Sequence, residues 1–242
     1  MTPAQKLNLM VCRKDAHAFI FGTTGHSFVV TKDEHDTKEP VKPFPDLLYL
    51  RALLDMYLVG GRYIQPEEAK YAAQWGINPK ELCHIAETGL LAVEKSRQLM
   101  VTWLTLAYCL WRAKFKPHQL ILCQSKREDD AKNLVCVKED ELDSARMSFM
   151  ETHLPDYMRS MTTATKCNLF FASGSRVWGI PQGGSIIRSN TPSLLMSDEA
   201  AFQPEFGEAY TASLPAIRGG GQAIFVSSAE VGDFMDIVEA QT

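Results

Sequence analysis

Long apolar runs are missing from this 242-residue chain: none approaches the ~18 residues needed to cross a bilayer. The opening residues, MTPAQKLNLMVCRKDAH, lack the apolar core of a secretory signal, so the expected setting is a cytosol. The six cysteines (Cys12, Cys83, Cys109, Cys123, Cys136, Cys167) form no CxxC pair and no Cys/His ligand spacing. That excludes the usual structural zinc and dithiol redox motifs and leaves free, mostly buried thiols. A basic excess is missing too: 25 Lys and Arg against 29 Asp and Glu give a formal net charge of −4. Any polyanion must then be met by a local patch rather than by the whole-protein field. Internal repeats and low-complexity tracts are absent. What is present is a globular composition, 45% hydrophobic and 22% charged, sufficient for one large domain or two small ones.

Residues 31–45, TKDEHDTKEPVKPFP, are charged and proline-bearing and read as an exposed linker after an N-terminal arm. From Asp46, the apolar positions Leu47, Leu50, Leu54, Tyr57 and Leu58 follow helical spacing. Two shorter helices are expected next, one over 65–76 with Pro66 early and Gly76 as its stop. The other covers 78–89, capped by Asn78 and stopped by Gly89. Beyond residue 89 strands and helices alternate. Residues 90–93 lead into a helix through about Ala113, and 119–125 lead into a helix over 127–142. NLFFAS and RVWGI bracket Gly174-Ser175 as a hairpin, and 193–197 and 222–228 are further short apolar strands. Runs rich in Leu, Ile, Val and Phe on both faces suit strands covered on both sides by helices. The expected fold is α/β, with ligands beyond the carboxyl ends of the strands.

Four stretches after strands carry chemistry. In LLMSDEAAF (194–202), an apolar strand delivers two adjacent carboxylates: Asp198 suits a Mg²⁺ ion and Glu199 suits activation of a water. The competing explanation is a helix start capped by Ser197. In AVEKSRQLMVTW (92–103), a phosphate-loop frame counted back from Thr102 places Val101 at the lysine, Met100 at the second glycine and Lys95 at the first. Only Thr102 fits that frame; Lys95 or Arg97 can supply the cation from the loop's other end. The competing explanation is a strand-to-helix turn with solvated basic residues. In FVSSAE (225–230), Ser227 or Ser228 can sense a phosphate, or simply make a turn. In GIPQGGSIIRSNTPSLLMSDE, Arg188 suits an arginine finger toward a neighbouring subunit, or a plain surface role. Lys126, Arg127 and Lys132 suit sequence-independent phosphate contacts with DNA, or a solvated helix face paired to Glu128 and Asp129.

In order and spacing these stretches resemble the ATPase domain of the large terminase subunit of tailed bacteriophages, over about residues 43–235. The most specific pieces are GSRVWGIPQGGSIIRSNTPSLLMSDEAAF and the SRQ of the loop. The resemblance implies a P-loop NTPase of RecA/ASCE type, with a central, mainly parallel sheet flanked by helices and an N-terminal helical arm or lid. It implies an arm and linker over 1–42, an ATPase domain over 43–242, and a nuclease domain missing from this chain, as if excised. It implies ATP and Mg²⁺, with Lys95, Ser96, Arg97, Gln98 and Thr102 around the nucleotide and Thr102 and Asp198 on the metal. Glu199 would be the base, Arg188 the finger, and Ser227 and Ser228 the coupling residues. Implied partners are double-stranded DNA, the portal protein and the small terminase subunit, with a homo-oligomeric ring on the portal and a monomer when isolated. The implied place is the host bacterial cytoplasm and, transiently, the procapsid portal vertex; the mature virion lacks it.

Two departures stand out. Without glycine at Met100, a positive φ is costly, so the loop's path is expected to differ and nucleotide affinity to be low. Phe44 and Pro45 lie where the family's adenine-side motif falls, but its glutamine is missing, which leaves the adenine pocket unassigned. A helicase-like translocase and a non-enzymatic scaffold with a degenerate nucleotide site are the competing functions.

Overall fold

The computed structural model describes residues 1–22, 27–33, 36, 38–59 and 89–239. The two short helices expected before Gly89, and Cys83, lie outside them. The chain opens with α1 (Pro3–Lys14) and α2 (Ala16–Phe21). Thr2 and Gln5 cap α1 reciprocally, each side chain taking the other's backbone N–H. The segment expected to be an exposed linker instead carries a small antiparallel sheet, β1 (Val30–Lys32) with β2 (Val41–Pro43). Burial explains the difference: Val29, Thr31 and Phe44 are buried, and Phe44 N–H donates to the Val29 carbonyl. α3 (Leu48–Ala52) follows and runs on into a wide π-helical segment, Leu53–Leu58.

The rest of the described chain builds one seven-stranded sheet. In chain order its elements are β3 (Leu90–Glu94), α4 (Val101–Phe115), β4 (Leu120–Gln124), α5 (Glu128–Val135) and α6 (Arg146–Thr152). Then come β5 (Met161–Thr165), β6 (Asn168–Phe171), β7 (Arg176–Ile180), α7 (Ser185–Arg188), β8 (Leu194–Asp198), α8 (Phe206–Arg218), β9 (Gln222–Ser227) and α9 (Asp233–Glu239). The strand order is β3-β9-β8-β4-β7-β6-β5, parallel from β3 to β7 and antiparallel for the last two. The expected α/β, mainly parallel sheet flanked by helices is therefore what forms. The β6–β7 hairpin also forms, with Gly174 at φ +78° in its turn, where a Cβ would strike the His118 ring.

Two expectations change. The helix expected over 127–142 stops at Val135, because Cys136 turns extended and its carbonyl accepts the Cys167 N–H. The residues that follow supply α6 and the edge strand β5, neither of which the apolar pattern marks. Cys12, Cys109, Cys123, Cys136 and Cys167 are free and buried, as expected. Among the described residues no helix is long and apolar enough to cross a membrane.

Alternation along the strands assigns each face of the sheet. Leu194 and Met196 of β8, with Ile224 and Val226 of β9, pack into the core that holds α1, α2, α3, α4 and α6. Leu195, Ala223 and Phe225 point the other way, toward α8 and α9. α4 is apolar nearly all round, as befits a helix buried against the sheet on one side and the N-terminal helices on the other. Trp111 donates its indole N–H to the Cys12 carbonyl at 2.7 Å, which fixes α1 onto α4. The first 22 residues thus belong to the same core as the sheet.

Candidate functional site

Parallel strands β3, β9, β8 and β4 end at one edge of the sheet, so the loops that follow them converge. The strand alternation decides which side chains meet there. Asp198 shares parity with Leu194 and Met196, so it faces α4, where Thr102 lies in the first turn. The Thr102 hydroxyl donates to Asp198 Oδ1 at 2.8 Å. Ser197, on the opposite face, joins a buried network instead: Gln203 Nε2 donates to Ser197 Oγ (2.9 Å) and to the Asp198 carbonyl (2.8 Å). Gln124 reaches from β4 to the carbonyls of Pro181 and Gly183, fixing the glycine-rich segment against the sheet.

The loop leaving β3 starts in register, with Lys95 N–H donating to the Ser227 carbonyl at 2.9 Å. It then turns left-handed at Gln98 (φ +64°) and at Met100 (φ +58°). The expectation of a different path at Met100 is thus corrected: the backbone takes the positive φ without glycine. Such a conformation costs a non-glycine residue roughly 1–2 kcal/mol. Glu199 adopts it too, at φ +52°. Three of the five non-glycine residues with positive φ among the described residues therefore border one cleft, as strain at a working site does. α4 has no side-chain cap, which leaves its first N–H groups open to an anion. Tyr49 of α3 steadies the loop by donating its hydroxyl to the Leu99 carbonyl at 3.1 Å.

Lys95 Nζ meets Glu199 Oε1 at 3.3 Å, with the lysine side chain only 8% exposed. Burial pushes the Asp198 carboxyl above its usual range, and the Glu199 charge adds to this; the Thr102 hydrogen bond and the Arg146 and Lys95 charges pull the other way. A buried carboxylate held in that state favours a bound cation. Asp198 and Thr102 offer hard oxygen donors, and among the described residues no group of three or more His, Cys, Asp or Glu is placed to hold a metal ion. That sparse set fits Mg²⁺, which takes one or two protein oxygens and completes its shell from phosphates and water.

The cleft measures about 640 Å³, within the range of small-molecule and cofactor sites. Lys95, Arg97, Lys126 and Arg146 line it against Asp130, Asp198 and Glu199, with Gln98 and Thr102 beside them. Ser96 lies on a second cleft beside it, with Lys95, Arg97 and Ser228. Ser227 is buried and bridges the loops: its carbonyl takes Lys95 N–H and its hydroxyl takes Ala201 N–H at 3.1 Å. Ser228 Oγ is buried with no hydrogen-bond partner.

Other nominated residues lie apart. Arg188 pairs with Glu208 at 3.2 Å and lines a separate cleft that shares no residue with the first. Lys132 pairs with Asp129 at 2.8 Å along the α5 face, and Arg127 precedes that helix. Arg146, Gln124, Gln203 and Trp103 belong to the site without having been singled out. Arg146 carries no motif signal; Gln124 would have been visible only as a polar residue closing an apolar strand, and Gln203 not at all.

No family model matches the sequence, and no curated protein is similar to it in sequence. Among solved structures, the crystal structure of the HK97 bacteriophage large terminase matches with a TM-score of 0.57 at 13% identity, covering 95% of this chain and 42% of that one. The chain therefore shares the fold of a large terminase and spans less than half of its length. Weaker matches include the N-terminal domain of the DNA packaging ATPase from bacteriophage phi29 (TM-score 0.45, 16% identity, 67% of this chain and 84% of that one). Another is the large terminase of a thermophilic bacteriophage solved in complex with ADP (TM-score 0.41, 11% identity, 58% and 33%).

Proposed function

We propose that this chain is the ATPase motor domain of a DNA-packaging terminase, hydrolysing ATP with Mg²⁺ to drive double-stranded DNA into a procapsid. The observation that carries this reading is a pair of contacts, Thr102–Asp198 and Lys95–Glu199. They join the loop after β3 to the acids after β8, across β9. The fold shared with a large terminase supports it.

In this reading Lys95 and Arg97 neutralise phosphate charge, while Ser96, Gln98 and the N–H groups opening α4 hold phosphate oxygens. Thr102 and Asp198 hold Mg²⁺, which when bound offsets the charge on those oxygens. Glu199 orients the attacking water and takes its proton. Lys95 must leave Glu199 for that to happen, and incoming phosphates compete for it. Ser227 and Ser228, placed between the loop and the acids, pass loss of the last phosphate to β9. Arg188 serves a neighbouring copy in a ring on the portal, and Lys126, Arg127 and Lys132 meet DNA phosphates. The portal protein and the small terminase subunit are the expected partners.

Mg²⁺-dependent ATP turnover with double-stranded DNA present, and binding of a fluorescent ATP analogue, test this reading. Glu199→Gln should lose ~10²–10⁴-fold in turnover and keep its binding. Wild-type turnover by that variant contradicts the base assignment. Separation of a forked duplex would point instead to a helicase-like translocase.

A further inference from the structure

Arg146 reaches the cleft from α6, an element that carries none of the residues nominated from the sequence. Its guanidinium lies 5.9 Å from the centre of the Trp103 ring, and Trp103 directly follows Thr102 on α4. Among the described residues no carboxylate pairs with Arg146, although Asp130, Asp198 and Glu199 line the same cleft. Lys95, by contrast, is held by Glu199, and Arg188 by Glu208. Attraction to an aromatic ring uses none of a guanidinium's N–H donors on an acceptor, which leaves its fork for phosphate oxygens.

The helix that presents Arg146 is anchored. Phe149 packs edge-on against Trp103 at 6.5 Å between ring centres. At the far ends of both helices, Lys114 of α4 and Glu151 of α6 form a buried ion pair at 2.6 Å. Glu151 also accepts the N–H groups of Ser160 and Met161 at 2.7 and 2.9 Å. α4 and α6 both start at the cleft and are tied together away from it, so Thr102 and Arg146 hold a fixed spacing.

We propose that Arg146 is a phosphate-binding residue acting in its own chain's cleft, its guanidinium held beside Trp103 and its N–H donors placed on the phosphate chain of a nucleoside triphosphate. The identity of the nucleotide rests on the ATPase reading; the contact with a polyphosphate does not. This role is separate from that of Arg188, whose cleft is a different one.

The test compares wild type, Arg146→Ala and Arg146→Lys in the full chain. Titration calorimetry with Mg²⁺-ATP and, separately, with inorganic tripolyphosphate is paired with melting curves in the absence of ligand. Arg146→Ala should weaken both ligands about tenfold or more, the loss expected for one hydrogen bond to a charged group, with an unchanged melting temperature. Arg146→Lys should recover part of the loss, since it keeps the charge without the fork. Wild-type affinity in Arg146→Ala overturns the proposal and leaves the ATPase reading standing. A melting temperature that drops together with affinity in both variants also overturns it, because the role is then structural. Arg146-dependent tripolyphosphate binding without ATP binding keeps the proposal and sinks the ATPase reading. Binding of neither ligand by wild type overturns both.

Discussion

β8 carries its acids out of the middle of the sheet, hydrogen-bonded to β4 on one side and β9 on the other. β3, paired along its length with β9, sends out the loop. Every residue of β8 is buried, and a second layer of glutamines holds its end. The loop has instead two left-handed residues without glycine, an uncapped helix start and one supporting hydroxyl from Tyr49. Rigidity on the acid side comes from the ladder and burial. On the loop side it comes from strain held in place by neighbours, and strain of that kind yields when a ligand makes it worthwhile.

Breaking either side should have unequal effects. The largest falls on the acid side, in the loss of turnover by Glu199→Gln. On the loop side, Lys95→Ala should weaken Mg²⁺-ATP binding on the order of 10–100-fold, equivalent to about 1.5–3 kcal/mol for a charged hydrogen bond. Unchanged affinity in a calorimetric titration would remove Lys95 from the phosphate site.

The N-terminal layer behind the loop offers a pH test of the comparison. His17 Nδ1 meets Asp55 Oδ2 at 2.8 Å, joining α2 to the π-helical segment beyond α3. Burial alone would lower the His17 pKa, but the hydrogen bond and charge of Asp55 outweigh it, so the folded value lies above 6.5. The stabilisation is then fully present below pH 6.5 and is lost as pH rises through the folded value. Wild-type melting temperature should fall across that window, while His17→Gln starts about 1–3 kcal/mol less stable and stays flat. Parallel slopes in the two proteins would contradict the pairing.

The smallest effect tests strain itself. Gln98 is exposed, so Gln98→Gly removes little packing while relieving the positive φ. A gain of up to about 1 kcal/mol is expected, which is a rise of roughly 2–4 °C in melting temperature without ligand. A drop would mean that Gln98 makes contacts worth more than its strain.

The same contrast explains what could be read from the amino acids. An apolar run ending in Asp198-Glu199 announces its own chemistry, since two carboxylates closing a buried strand need a cation or a partner. The strands of the sheet were legible for a related reason: LILCQ and QAIFVS are apolar on both faces. β1 and β2 were not, having three residues each, nor was β5, whose threonines are exposed and whose one buried side chain is Ala164. The loop could be placed by its frame around Thr102, but not by composition, because Met100 and Gln98 adopt conformations that their side chains disfavour. Arg146 left no trace in the pattern: it comes from a helix 44 residues beyond Thr102 and is placed only by packing on Trp103.

In the proposed mechanism Lys95, and no residue at the usual lysine position, supplies the cation for a phosphate, and it is borrowed from Glu199 to do so. A crystal structure with Mg²⁺ and a non-hydrolysable ATP analogue tests it most directly. Lys95 Nζ should lie on phosphate oxygens at about 2.7–3.0 Å, with its contact to Glu199 broken. Lys95 still on Glu199, with the phosphates bound by other groups, would contradict it.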